Sequence, residues 1–579
     1  MNRAERRRQQ KLAEKADKKS KSVQPASSPN EQQALEIEHS LNLAVQHHNA
    51  GDLPKAESIY QHVLQIDPAQ PVALNLLGVI AYQVGKNDIA VESISKALAV
   101  MPDYAEAHNN LGNALGALGK PDEAVISYHK ALALKPDYAE AHSNLGNVLR
   151  DLGKLEEAVA SYYKAVAIKP DYFEAHNNLG VALHSLEKRD EAVASYQKAL
   201  AIKPDYADAH YNLGTTFRFM GRLDEAIASY QEAIAIRPDY AGAHNNLAIV
   251  LNSCGRGTEA LGHFKRHLMI ERGDNPIDPH HKSFRFITKA KMIHDIEQFH
   301  YLASAGDEAE RFQALAEIYE TIDKEIDWPT DNGLQIPLCD DHLQRLGDTY
   351  NRPIHLLEAP GVTGSPLSST LDVEKITANY FSHAFGMTYF DNLLSATALA
   401  ALRRFMLGST IWFDFNYKGG YLGAVLKHGL ACPLILQIAD ELRHTFPDIF
   451  KDHQLTQLWA YKYDSNLTGI EVHADFAAVN VNFWITPQTA NLNPASGGLV
   501  VYDVEAPMDW DFKKYNTNAK LIREHLADHS SGKIVVPYGE NRMVLFNSNL
   551  FHETDSIDFK PGYENRRINV TMLFGRRQP

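Results

Sequence analysis

Cysteine is scarce in this chain, with Cys254, Cys339 and Cys432 scattered through 579 residues. That spacing excludes a disulfide framework and a CxxC metal or redox motif, and a reducing, cytoplasmic setting is expected. Long apolar runs are missing as well. No stretch approaches the roughly 18 uninterrupted apolar residues of a membrane span, so a transmembrane protein is not expected. Positive charge is in deficit, with a formal net charge of -15. Phosphate contacts need a basic surface, so a general nucleic-acid partner is not expected either. The length itself excludes a single core, because one hydrophobic core stops growing near ~250 residues.

The charge that is present is unevenly placed. Residues 1–22 hold nine Lys or Arg against three acids, and the Ser/Pro/Gln-rich stretch SVQPASSPNEQQ follows. Residues 1–36 therefore read as a basic disordered arm and linker without the apolar core of a signal peptide. The arm is either a solvated tail or a docking element for an acidic partner or anionic lipid.

A repeat begins at residue 37. Leu-Gly pairs occur at 77–78, 111–112, 145–146, 179–180 and 213–214, each 34 residues after the last. Prolines recur in the same phase from Pro68 to Pro238, and alanines from Ala56 to Ala260. Within each period, small and apolar residues fall at helical spacing on both sides of a short turn, and the Pro closes the second helix. Seven helical hairpins over 37–274 are predicted. The pattern resembles the tetratricopeptide repeat, which implies an all-α superhelix whose concave face takes a protein or peptide.

The residue before four of the five Leu-Gly pairs is an asparagine, Asn110, Asn144, Asn178 and Asn212, with Asn246 in the degenerate last repeat. A carboxamide donates and accepts, so a ladder of them can track a peptide backbone whatever its side chains. The ladder resembles that of the O-linked N-acetylglucosamine transferase superhelix. The same amides can instead bond between repeats. The chain has 27 histidines, but His108, His142, His176, His210 and His244 also follow the 34-residue period and are read as packing residues.

The repeat phase is lost after Arg272. Residues 275–380 read as an α+β connecting region, helical over 308–327 and rich in Pro and Gly through APGVTGSPLSST, and no function is legible there. From 381 to 579, FDNLLSATALAALRRFM and LILQIADELRHTF read as helices, TIWFDFNY between them as a strand, and 456–575 as a series of short strands. WDFKKYNTNAKLIREHLADHSSGK interrupts those strands as a helical insertion, a lid or a substrate loop.

His473 and Asp475 stand two apart, on one face of a strand or its end, and His552 closes the apolar stretch VLFNSNLFH, read as one strand. Two imidazoles and a carboxylate make a facial triad, a ligand set that binds one face of non-haem iron and leaves positions open. The HxD tripeptide alone is common. Its order with SGGLVVYD, RMVLFNSNLFHETD and ENRRINVTMLFG resembles the Fe(II)/2-oxoglutarate dioxygenases, closest to their prolyl-hydroxylase branch.

That resemblance implies a double-stranded β-helix, or jelly roll, with Fe(II) held by His473, Asp475 and His552 and with 2-oxoglutarate and O2 as co-substrates. By the same resemblance Arg567 grips the distal carboxylate of 2-oxoglutarate, with help from Tyr463 and Thr571. Arg566 must face the other way on its strand. Asn480, Asn482 and Trp484 share a strand face, lining the pocket or serving as ordinary strand residues. The implied activity is a hydroxylase acting on a polypeptide captured by the repeats. Two alternatives stand beside it: a small-molecule oxygenase whose repeats recruit a partner protein, and a non-enzymatic scaffold. Oligomeric state is not legible.

Overall fold

A computed structural model describes residues 29–306, 308–417, 420–451, 453–464 and 469–577, with side chains from residue 33 onward. The basic arm falls outside these residues. The chain divides into two compact units, Met1–Thr216 and Phe217–Pro579, so the last repeats cluster with the C-terminal half rather than ending a domain near 275. The contacts of the final repeat helix with the C-terminal half, described below, are the physical reason.

Fourteen helices run from Pro29–Asn49 to Gly257–Arg272 among the described residues. The first of them begins within the segment read as linker. Proline suits a first helical turn, and the following NEQQALEIEH is rich in helix formers. The Leu-Gly glycines are there because the paired helices nearly touch. A Cβ on Gly112, Gly146 or Gly180 would lie 2.6, 2.7 or 2.6 Å from the ring of Tyr128, Tyr162 or Tyr196. The periodic histidines act as expected of packing residues: the Nε2–H of His108, His142, His176, His210 and His244 each donates to the carbonyl of the proline six residues earlier, at 2.8–3.1 Å.

The turn within each hairpin needs a left-handed residue, supplied by Gly85, Gly119 and Gly153 at φ 76, 71 and 75°. Glu187 holds the same position at φ 61°. A side chain there costs about 1–2 kcal/mol, and its exposed pairing with Arg189 at 3.4 Å returns little. After allowing for glycine's greater freedom when unfolded, Glu187→Gly should stabilise the helices by about 0.5–1 kcal/mol. A higher urea midpoint in far-UV circular dichroism is the expected readout.

In the second unit, residues 275–380 have their own core. Strands β1 (Phe286–Ile287) and β2 (Ile336–Pro337) pair antiparallel. The helices Lys289–Ala305 and Ala309–Glu325 bury Met292, Phe299, Phe312 and Tyr319 against them. The first of these helices is not apparent from sequence, because its buried face carries Lys291, His294, Asp295 and Gln298 among the apolar residues.

Nine strands follow: β3 (Met387–Phe390), β4 (Leu422–Val425), β5 (Leu455–Tyr463), β6 (Val479–Trp484), β7 (Leu499–Glu505), β8 (Lys533–Val536), β9 (Met543–Asn547), β10 (Leu550–Thr554) and β11 (Arg567–Phe574). They form two antiparallel sheets, ordered β3-β9-β6-β11-β5-β4 and β10-β7-β8. Tyr463, Trp484 and Phe546 of the first sheet and Leu499, Val501 and Leu550 of the second belong to one buried cluster.

Two strand predictions are corrected. TIWFDFNY is buried but forms no strand: only Asp414 bridges, to Gly423 of β4, and Thr410 bonds instead to the His355 backbone. VLFNSNLFH is two strands, since the chain turns at Ser548 and Asn549 and crosses from one sheet to the other. The predicted insertion is helical over Ala519–His529.

Candidate functional site

The crossing at residues 548–549 brings His552 to the inside of the second sheet. There it pairs with His473 across a two-way backbone bridge of 2.9 and 2.8 Å. Their rings lie 4.3 Å apart. Asp475 reaches both, with Oδ2 3.4 Å from His552 Nε2 and Oδ1 3.8 Å from His473 Nε2. The three donor atoms all lie within 4.8 Å of one another.

Each imidazole is aimed by its own backbone. Nδ1–H of His473 donates to the Glu471 carbonyl at 2.9 Å, and Nδ1–H of His552 to the Leu550 carbonyl at 3.0 Å. Both Nε2 lone pairs therefore face the carboxylate, the orientation that backbone partners give to metal-ligating histidines. Burial, with His552 beside it, pushes the His473 pKa down to about 4, so its ring is neutral and able to ligate. Burial alone would raise the Asp475 carboxyl. The close His552 and His473 imidazoles and the Asn480 amide instead hold it below the ordinary carboxylate range.

Asn480 Nδ2 donates to Asp475 Oδ2 at 2.6 Å, Asn482 Nδ2 to Asn480 Oδ1 at 2.6 Å, and Thr571 Oγ1 to Asn482 Oδ1 at 2.7 Å. Asn569 adds a bond to Asn482 at 2.9 Å. Strand register explains the chain, since Thr571 lies opposite Asn482 on β11 and β6. Asn480 and Asn482 are thus part of the site. Thr571 lines the cavity with its hydroxyl proton already donated. Asn569 is a site residue that the sequence reading missed. Its parity with Arg567 and Thr571 on one strand was the available signal.

His473, Asp475, His552, Arg567, Asn569 and Thr571 line one cavity of about 510 Å³. Arg567 is fully buried. Its Nε donates to the Gly497 carbonyl at 2.6 Å and its Nη2 to the Gly498 carbonyl at 3.2 Å. Both acceptors depend on glycine, because Gly497 has φ +81° and a Cβ on Gly498 would lie 1.9 Å from the Val536 carbonyl. Nη1 has no partner, and neither do the buried Tyr463 hydroxyl and Trp484 Nε1. Those two rings flank the guanidinium at 4.9 and 5.5 Å. Burial lowers the Arg567 pKa from its ordinary value but leaves a cation. A buried cation without a carboxylate, beside two unpaired donors, is suited to an anion. Arg566 faces away as predicted and pairs with Glu297 at 2.7 Å.

None of the ladder asparagines lines this cavity. Asn110, Asn144, Asn178 and Asn212 donate to Asn75, Asn109, Asn147 and Asn177 at 3.0–3.2 Å. Asn246 accepts from Asn245 at 3.3 Å. The alternative of bonds between repeats is therefore realised, while each ladder side chain stays half-buried.

Family models for the TPR repeat match residues 80–119 and 146–187, and models for the tetratricopeptide repeat match 105–138, 171–239 and 211–276. No curated protein matches the chain. Among solved structures, MamA is 31% identical over 28% of this chain and 94% of its own, with a TM-score of 0.27. YrrB, described as a TPR protein with an unusual peptide-binding site, is 24% identical over 32% of this chain and 95% of its own, at 0.28. Pseudomonas aeruginosa pilF is 19% identical over 37% of this chain and 96% of its own, at 0.34. No helix among the described residues is long and apolar enough to cross a membrane.

Proposed function

Starting from a helical half made of tetratricopeptide repeats, we propose that the two sheets are a double-stranded β-helix and that the protein is a Fe(II)- and 2-oxoglutarate-dependent hydroxylase acting on a polypeptide held by those repeats. The observation that carries this reading is one cavity with two imidazoles and a carboxylate in it and a buried guanidinium, Arg567, also lining it with Nη1 unpaired and no carboxylate partner. The donor set suits Fe(II), with open positions for co-substrates. The Arg567 guanidinium suits a dicarboxylate whose far end needs a cation.

When bound, Fe(II), 2-oxoglutarate and O2 supply the oxidising chemistry that places a hydroxyl on a C–H bond, with succinate and carbon dioxide as co-products. The chain's own residues do the rest. His473, Asp475 and His552 would hold the metal, and the backbone bonds at Nδ1 keep both rings turned toward it. Asn480 fixes the carboxylate from behind. Arg567 and Tyr463 would bind the distal carboxylate of 2-oxoglutarate, and Leu499 and Leu573 help wall the cavity against water. Phe512, Asn516 and Thr517, from the insertion before β8, also line the cavity, which supports reading that insertion as a substrate loop.

The test of the chemistry is succinate release from 2-oxoglutarate that requires both Fe(II) and O2. Tetratricopeptide repeats present a surface to a peptide or protein, and that surface supports a polypeptide as substrate. Delivery by the repeats has its own check. A peptide that saturates the repeats should lower turnover of the protein substrate several-fold, and turnover that ignores it would assign the repeats to recruiting a partner.

A further inference from the structure

Outside the cavity, a second group of metal-ligating side chains lies where the final repeat helix, Gly257–Arg272, meets the turn after β4. His267 and Glu271 stand one helical turn apart on that helix, and His428 ends the short 3-10 turn Leu426–His428. The donor atoms of the three lie within 4.8 Å of one another. His428 Nε2 is 3.7 Å from Glu271 Oε2, and the two imidazoles stack at 5.6 Å with planes 5° apart. Gly429 fixes the turn: its φ is +99°, and a Cβ there would lie 2.9 Å from Ile411.

Three observations separate this group from ordinary packing histidines. The first is in the repeat itself. At the position of His267 the five preceding repeats carry Ala97, Ala131, Ala165, Ala199 and Ala233, and at that of Glu271 four of them carry Lys135, Lys169, Lys203 and Arg237. The first repeat departs at both positions, with Val63 and Asp67, and among the seven only the last sets an imidazole one turn before its carboxylate. The second is the state of the ring nitrogens. His267 is 2% and His428 8% exposed. Nδ1–H of His267 donates to the Ala241 carbonyl at 3.0 Å, which leaves Nε2 with no hydrogen-bond partner, and neither nitrogen of His428 has one, Nε2 meeting only the Glu271 carboxylate at 3.7 Å. Buried imidazole nitrogens without partners are costly unless something fills them. The third is orientation, since a backbone carbonyl holding one nitrogen of His267 while the other faces a carboxylate and a second imidazole is the arrangement of a metal ligand.

We propose that His267, Glu271 and His428 bind a zinc ion that fastens the last repeat helix to the turn after β4. Two neutral imidazoles and a carboxylate suit zinc, and tetrahedral bonds near 2.0–2.1 Å put ligand atoms about 3.4 Å apart, close to the separation already present at the His428–Glu271 pair. Glu271 is the partly exposed member, so the fourth position opens to water on its side. The neighbouring cation Arg272 is turned elsewhere, with Nη1 donating to the Asn351 carbonyl at 3.4 Å and its guanidinium over the Phe413 ring. This site does not depend on the oxygenase reading.

Zinc bound per full-length chain, measured after chelator treatment by titration against a competing indicator, tests the site. The Asp475→Ala variant, which disables the other cluster, should retain one tightly bound zinc, and adding Glu271→Gln should weaken it at least about a hundredfold with an unchanged circular dichroism spectrum. The melting temperature of Asp475→Ala should rise with zinc and that of the double variant should not. If Asp475→Ala fails to fold, the wild type compared with Glu271→Gln should differ by one zinc. No tight zinc in Asp475→Ala, or binding that Glu271→Gln leaves unchanged in either background, overturns the proposal.

Discussion

Replacing Asp475 with alanine should reduce Fe(II)- and O2-dependent succinate release to background, with the circular dichroism of the repeats unchanged. Asp475 is the one carboxylate of its cluster and reaches both imidazoles. Without it the metal loses its only charged ligand and keeps two neutral ones. Changing a group that merely orients a ligand weakens metal binding about 10–100-fold, so loss of the ligand itself should exceed a hundredfold. The fold should survive, because the substitution removes a buried charge rather than creating one. Calcium- or zinc-loaded protein would be an inadequate control, so metal content and turnover must be measured on the same sample. Full turnover by a folded Asp475→Ala protein would dismiss Asp475 as a metal ligand and place the chemistry outside this cluster.

What could be read in advance follows from which interactions are local. The repeats are legible because each hairpin restates one set of contacts, Gly112 under Tyr128 and Gly146 under Tyr162, and so the same letters return every 34 residues. The metal-ligating set is legible from residue type and order. Its support is only partly so, since the carbonyls of Glu471 and Leu550 that aim the imidazoles leave no mark in the side-chain sequence. The helix Lys289–Ala305 is hidden for the opposite reason. Its buried face includes a Lys291–Asp295 pair at 2.6 Å, and polar letters break the apolar period that announces a helix. At 410–417 an apolar run suggests a strand, but burial alone does not make a ladder, and Trp412 and Phe413 pack instead against His294 and Arg272 of two helices and Lys462 of β5. The asparagine ladder shows a further limit: a carboxamide looks the same in sequence whether it serves a peptide or the next repeat.

Arg567→Met should separate binding from stability, with opposite signs. Arg567 is buried with one guanidinium nitrogen unpaired and no carboxylate partner, so the ligand-free protein bears the cost of desolvating a charge that only backbone carbonyls compensate. Methionine keeps much of the volume and removes the charge. The two glycine carbonyls lose donors, which offsets part of the gain, and the net expected change is about 1 kcal/mol toward greater stability. Co-substrate binding should move the other way. Truncating one partner of a buried charge pair costs about 2–5 kcal/mol, so the KM for 2-oxoglutarate should rise at least about thirtyfold while metal affinity stays unchanged. The neighbouring residue supplies the contrast. Arg566 is buried on the opposite strand face and already paired with Glu297 at 2.7 Å. Arg566→Met leaves that carboxylate unpaired and should lower stability by about 3 kcal/mol with no effect on the KM. Two adjacent arginines, substituted identically, would then give opposite stability changes and only one altered KM. Equal KM values for both variants would mean that the cavity's cation serves the fold and that the dicarboxylate, if bound, is held elsewhere.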